Sequence, residues 1–207
     1  MINTTDIKKN SLPIVERFYS LQGEGYNSGK AAFFIRLAGC NVGCSWCDSK
    51  NSWKMSNHPL VPIKEIVADV LSHKAEYVVI TGGEPLMHSL DQLCGLLKDN
   101  GLKIFLETSG SCPFSGTFDW ICLSPKRNRP PLPDIYKIAS ELKVVVTDPS
   151  DFLWAEESRQ LVTAQCKLYL QPEWSVKEAL LPDIVQYIKE NPHWTLSFQS
   201  HKFINIP

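Results

Sequence analysis

Cys40, Cys44 and Cys47 stand within eight residues, spaced Cys-x3-Cys-x2-Cys. Thiolates are soft ligands suited to zinc and to iron–sulfur clusters. A cubane cluster is normally closed by four protein thiolates. Three leave one iron open to a small molecule, the logic of a catalytic zinc site. Gly39 and Gly43 let the backbone wrap tightly around such a cluster. A structural zinc site would need a fourth ligand. His58 is the nearest candidate, but it sits beside Pro59 and lacks a partner at zinc-finger spacing. Cys94, Cys112, Cys122 and Cys166 read as small buried hydrophobes. Seven cysteines is an odd count for a secreted disulfide framework.

The elements that position these thiols alternate. Strands are expected at Ile14–Tyr19, Ala32–Leu37, Tyr77–Ile80, Lys103–Leu106, Trp120–Leu123, Leu142–Val146, Lys167–Leu170 and Trp194–Phe198. Helical spacing joins Ile63, Ile66, Val67, Val70 and Leu71, then Leu90, Leu93, Cys94 and Leu97, with a stop at Asn100-Gly101. A further helix is expected over Phe152–Ala164. Another carries Leu181, Ile184, Val185 and Ile188, with Pro182 in its first turn. Lys50 to Pro62 and Lys126 to Pro133 read as loops. Such alternation implies an α/β fold: a mostly parallel sheet with helical crossovers. The chain is too short for eight full units, so a partial (incomplete) TIM-type barrel in a single domain over residues 1–207 is the expectation. Polar residues follow the strands, and strand C-terminal ends form the active face of such folds. One face should therefore gather Thr81, Glu84, Thr108, Ser124, Lys126 and Gln171.

With 207 residues, 43% hydrophobic and 21% charged, one sizeable core is within reach. The formal net charge of −1 argues against a nucleic-acid partner held by phosphate contacts. Met1 to Pro13 has no apolar core of signal-peptide type, and no run of about 18 apolar residues occurs, so a cytoplasmic protein without membrane association is expected.

The cysteine spacing, with Trp46 before the last thiol, resembles the radical S-adenosylmethionine (SAM) signature. Gly82-Gly83-Glu84-Pro85 after a strand resembles the element whose backbone meets the SAM amino group in that superfamily. From Glu16 to Pro207 the chain resembles 7-carboxy-7-deazaguanine synthases, enzymes of 7-deazapurine (queuosine precursor) biosynthesis. That resemblance implies a [4Fe–4S] cluster on Cys40, Cys44 and Cys47. It implies conversion of 6-carboxy-5,6,7,8-tetrahydropterin to 7-carboxy-7-deazaguanine with loss of ammonia. A 5′-deoxyadenosyl radical would take hydrogen from C6 of the pterin and later return it, regenerating SAM.

Leu21, Gln22, Gly23 and Glu24, within Phe18–Gly25, match the family's substrate segment, as do Arg36, Thr81, His201 and the carboxylate of Pro207. Arg36 could equally make a structural ion pair, as could Glu107 and the segment Glu141-Leu142-Lys143. Trp46, Cys47, Asp48, Gly83, Glu84, Ser109, Ser124, Pro125, Lys126 and Gln171 match SAM-side positions. Ser49 stands where the family usually has a threonine that binds Mg²⁺, and it keeps the hydroxyl. The resemblance further implies a flavodoxin-like reductant and a homodimer. A small radical SAM activase acting on a protein partner, and a non-catalytic iron–sulfur or zinc module, are the alternative readings.

Overall fold

The computed structural model describes residues 10–207; the part of the polar start at residues 1–9 lies outside them. The strands are β1 (Ser11–Leu21), β2 (Ala31–Leu37), β3 (Leu60–Pro62), β4 (Tyr77–Gly82), β5 (Lys103–Thr108), β6 (Trp120–Leu123), β7 (Glu141–Val146), β8 (Lys167–Pro172) and β9 (Thr195–Leu196). They form one sheet in the order β3-β1-β2-β4-β5-β6-β7-β8-β9. β1 is antiparallel to β2 and β3. From β2 onward every pairing is parallel. The order leaves β3 and β9 as separate edges, so the barrel stays open. The helices are α1 (Ile63–Leu71), α2 (Asp91–Asp99), α3 (Pro133–Ile138), α4 (Asp151–Arg159), α5 (Lys177–Glu190) and α6 (Ser200–Ile204).

The two-residue period of the strands sorts the apolar side chains. Phe33, Ile35 and Leu37 of β2 join Val78, Ile80, Ile104 and Leu106 in the large core, which also takes in Ile63, Ile66, Val67 and Val70 of α1 and Leu93 and Leu97 of α2. The alternate residues Ala32, Phe34, Val79 and Phe105 form a smaller cluster on the other face. That second face is the concave interior. Parallel strands buried on both faces read as continuous apolar runs, as Tyr77–Ile80 does.

Several expected boundaries move. α4 ends at Arg159 rather than Ala164, because a turn through Thr163–Cys166 feeds β8. α5 starts at Lys177, directly after a 3-10 turn, so Pro182 lies in its interior and not its first turn. Its buried residues are Leu180 and Ile184, while Val185 is exposed, as is Leu71 at the end of α1. β9 is only two residues long. Trp194 is drawn aside to donate its indole N–H to Glu156 at 2.7 Å, and Ser197 turns inward to Gln171 at 2.7 Å. The expected loop from Lys50 to Pro62 holds two 3-10 turns and β3. Pro133, the end of the other expected loop, begins α3 with its fixed φ.

Candidate active site

The cysteine segment leaves the end of β2 and is pinned by its own backbone. Gly39 N–H donates to Ser52 O at 2.6 Å and Cys40 N–H to Trp53 O at 3.2 Å. From the next strand end, Gly83 N–H donates to Leu37 O at 3.0 Å and Glu84 N–H to Gly39 O at 2.8 Å. A Cβ on Gly83 would stand 2.3 Å from Gly39 O and 2.8 Å from Cys40 Cβ, so only glycine permits this approach. Asn128 donates to Val42 O at 2.6 Å and Arg129 to Asn41 O at 3.1 Å, which holds the loop from a third side.

All three cysteines are free, partly exposed, and open into one large cleft. Burial raises the Cys44 pKa and Lys126 lowers it, while Cys47 and Cys40 add to the rise. Burial in turn lowers the Lys126 pKa, opposed by the charge of Cys44. Lys126 Nζ binds Ser124 O and Oγ at 2.7 and 2.6 Å and lies 5.4 Å from the centre of the Trp46 ring. Among the described residues no three His, Cys, Asp or Glu side chains converge on one metal-ion position. A mononuclear zinc site needs such convergence, whereas a cubane places each thiolate on a different iron. Three thiols without a fourth ligand among the described residues, a close-packed glycine turn and a half-buried lysine fit a three-cysteine cluster with one open iron.

The cleft encloses about 1420 Å³ of empty space including its open mouth. It collects Trp46, Cys47, Asp48, Gly83, Ser109, Ser124, Lys126 and Gln171 from the SAM-side expectation, together with Leu21, Gln22, Gly23, Glu24, Arg36, Ser49, Thr81, His201 and Pro207. Two expected residues do not line it. Glu84 is fully buried behind it, accepting from Leu86 N–H, Thr108 Oγ1 and Ser109 N–H at 3.0, 2.6 and 2.8 Å. Its carboxylate braces Ser109 from behind the cleft. Pro125 borders a separate, neighbouring cavity.

The end farther along the sheet is polar. Arg36 Nε donates to Glu16 at 2.6 Å and its other arm reaches Ser49 Oγ at 3.4 Å, so the ion pair and the cleft position coexist. Glu24 is met by Lys143, Gln171 and Gln199 at 2.6, 3.2 and 2.8 Å. Burial would raise the Glu24 pKa, but the charge of Lys143 and the three hydrogen bonds bring it down to about 2. Phe18 and Phe34 stack at 5.0 Å to form a flat apolar wall.

The C-terminal segment closes over this end. Ser200 N–H donates to Gly23 O at 2.9 Å, and the His201 ring fills the space a Gly23 Cβ would need. Lys202 pairs with Asp48 at 2.7 Å, and Phe203 meets Trp174 edge-on at 5.0 Å. Pro207 O accepts from Ser20 Oγ at 3.1 Å. Burial would raise the Asp48 pKa, but Lys202, Gln199 and Ser49 bring it below the usual value. Lys143, Trp174, Gln199 and Lys202 line the cleft without having been assigned to it from sequence. For Lys143 the signal was present: a charge amid valines on an interior strand.

An open parallel sheet whose strand ends surround three cysteines defines a radical SAM enzyme, and the Radical SAM superfamily model matches residues 34–121. Such enzymes carry a [4Fe–4S] cluster and SAM. The chain is 47% identical to the 7-carboxy-7-deazaguanine synthase of Flavobacterium psychrophilum over 97% of this chain and 95% of that one. It is 48% identical to the synthase of the same name from Synechocystis, over 95% and 94%. The crystal structure of QueE from Escherichia coli superposes with a TM-score of 0.82 at 31% identity, covering 97% of this chain and 100% of that one. The chain belongs to the 7-carboxy-7-deazaguanine synthase family. Among the described residues no helix is long and apolar enough to cross a membrane.

Proposed function

We propose that this cleft converts 6-carboxy-5,6,7,8-tetrahydropterin to 7-carboxy-7-deazaguanine with loss of ammonia. One cleft carries this reading, for in it three thiols, Gly82 and Gly83, a carboxylate, a guanidinium and Pro207 all meet. Cys40, Cys44 and Cys47 hold the cluster. Trp46, Asp48, Gly83, Ser109, Ser124, Lys126 and Gln171 line the SAM side. When bound, the reduced cluster and SAM supply one-electron cleavage of SAM and a carbon radical able to take hydrogen from C6 of the substrate.

The chain's own residues bind and orient. The Gly83 and Glu84 N–H groups are already used within the protein, donating to Leu37 O and Gly39 O. The Phe18–Phe34 wall suits a flat heterocycle. Glu24 accepts N–H groups of the aminopyrimidinone edge, beside Leu21, Gln22, Gly23 and Thr81. Arg36, steadied by Glu16, faces the substrate carboxylate, a pairing suited to a guanidinium fork. Ser49, beside Asp48 at 3.2 Å, offers a hard oxygen for Mg²⁺. His201 and Pro207 close the site and exclude water. Both N–H groups of Gly83 and Glu84 being internal also means that this turn cannot shift without moving the cysteine loop.

The assignment extends to a flavodoxin-like electron donor, a homodimer and a cytoplasmic setting. Seven free thiols suit a reducing compartment. A single domain is supported by one sheet and by one large core running from Leu12 to Trp194. The shared name of the relatives favours this activity over a protein activase or a non-catalytic module. The test is anaerobic turnover of the reconstituted, reduced protein with SAM, Mg²⁺ and 6-carboxytetrahydropterin, followed by mass. The expected result is 7-carboxy-7-deazaguanine, abolished in Cys44→Ala. SAM cleavage without that product would overturn the reading.

A further inference from the structure

Lys143 projects from the middle of β7 into the concave face, with its side chain only 4% exposed. Its Nζ lies 2.6 Å from Glu24 Oε2 and 3.0 Å from Glu107 Oε2, and both carboxylates line the cleft. Glu24 comes from the turn after β1 and Glu107 from β5, so one ammonium ties two distant elements together. Gln22 Nε2 donates to Glu107 Oε1 at 3.0 Å, and Gln199 Nε2 to Glu24 Oε1 at 2.8 Å. The donors are the Lys143 ammonium, the amides of Gln22, Gln171 and Gln199, and the Cys122 thiol, which bonds Glu107, and a carboxylate oxygen can accept more than one such bond.

We propose that Lys143 is a positioning residue that holds the Glu24 and Glu107 carboxylates together as paired acceptors for a ring edge carrying adjacent N–H donors. This rests on the pterin reading above and adds the residue that sets its recognition. The Lys143 ammonium, bonded to both carboxylates, offsets the like-charge repulsion that would otherwise favour a protonated Glu24. The charged and titratable groups around this cluster are Lys143 and Glu141 on β7, Glu107 on β5, Cys122 on β6, Lys126 after β6, Asp48 on the cysteine loop, and His201 and Lys202 on α6. Only Lys143 among them bonds both carboxylates.

In Lys143→Met, Glu24 gains a proton near neutral pH and presents O–H where the substrate needs an acceptor. KM for the pterin is expected to rise at least tenfold with kcat changed less than threefold, and kcat/KM to recover as pH is raised from 6 to 8.5. Lys143→Arg, which keeps the charge, should restore most of the affinity. Both variants are compared by melting curve and by SAM cleavage under chemical reduction, so a misfolded protein is recognised. An unchanged KM and a wild-type pH profile in a folded Lys143→Met enzyme would overturn the proposal. Absence of pterin turnover in the unaltered enzyme would instead overturn the function itself.

Discussion

The Glu84 side chain braces the site from behind the cleft. Four hydrogen bonds converge on its carboxylate, from Leu86 N, Thr108 Oγ1, and Ser109 N and Oγ. Glu84→Ala would leave these donors buried without a partner, at a cost of about 1–3 kcal/mol for each one left unsatisfied. We predict that this variant loses about 3 kcal/mol or more of unfolding free energy, measured by urea denaturation; a loss under about 1 kcal/mol would contradict the bracing role. The sequence showed that Glu84 mattered through the Gly-Gly-Glu-Pro motif, but not that it faces inward. Motif position names the residue, whereas its direction depends on where Thr108 and Ser109 arrive from the neighbouring strand. Cys40, Cys44 and Cys47 were legible because three ligands close in sequence need little help from the fold. Lys143 and Glu107, 36 residues apart, meet only when β5 and β7 take their places in the sheet.

At the scale of elements, strand ends and loops build the cleft from fixed contacts. Gly83→Ala would drive the Gly-Gly-Glu-Pro turn into Gly39 O and Cys40 Cβ, 2.3 and 2.8 Å from the new methyl. The cysteine loop has to move, so iron content after reconstitution should fall by more than half while far-UV circular dichroism stays close to wild type. Full iron loading would contradict that. The C-terminal segment with α6 is attached through Gly23, Asp48, Trp174 and Ser20. Deleting residues 200–207 should abolish pterin turnover yet leave SAM cleavage under chemical reduction within about threefold. Loss of both would mean that the tail serves the cluster side as well. The long periodic elements were readable from apolar spacing: β2, β4, β6, α1 and α2 fall within two residues of expectation. Short elements escaped. β3, α3 and α6 are three to six residues long, too few for a period to register, and tertiary contacts decide them.

For the molecule as a whole, the core lies apart from the thiols. Its buried residues come mainly from the sheet and from α1 to α5, with a few from connecting turns such as Leu86 and Leu102, and none of the three cluster cysteines is among them. Removing the cluster should therefore lower the melting temperature by only about 4 °C, the equivalent of roughly 1–2 kcal/mol. A collapse of the cooperative transition on chelation would show that the metal holds the fold. Acid should act through carboxylates. The Glu24 pKa is held at about 2, as is that of Glu156, against a reference of 4.5. A depressed carboxylate stabilises the fold fully above its unfolded pKa and loses that contribution as pH falls through the folded value. Urea midpoints should thus be level above about pH 5 and decline between about pH 4.5 and pH 2; a flat profile through that window would contradict the assignment. The open, mostly parallel sheet was foreseen from the alternation of strands and helices. The antiparallel entry of β1 between β2 and β3 was not, because local pattern carries no information about pairing direction.

Hydrogen abstraction at C6 of a carboxylated tetrahydropterin is the step proposed for this cleft. C6-deuterated substrate given to the reconstituted enzyme, with both product and the SAM pool followed by mass, reads that step. The expected result is 7-carboxy-7-deazaguanine together with deuterium in SAM or 5′-deoxyadenosine. Product formed with no deuterium in either would rule the step out.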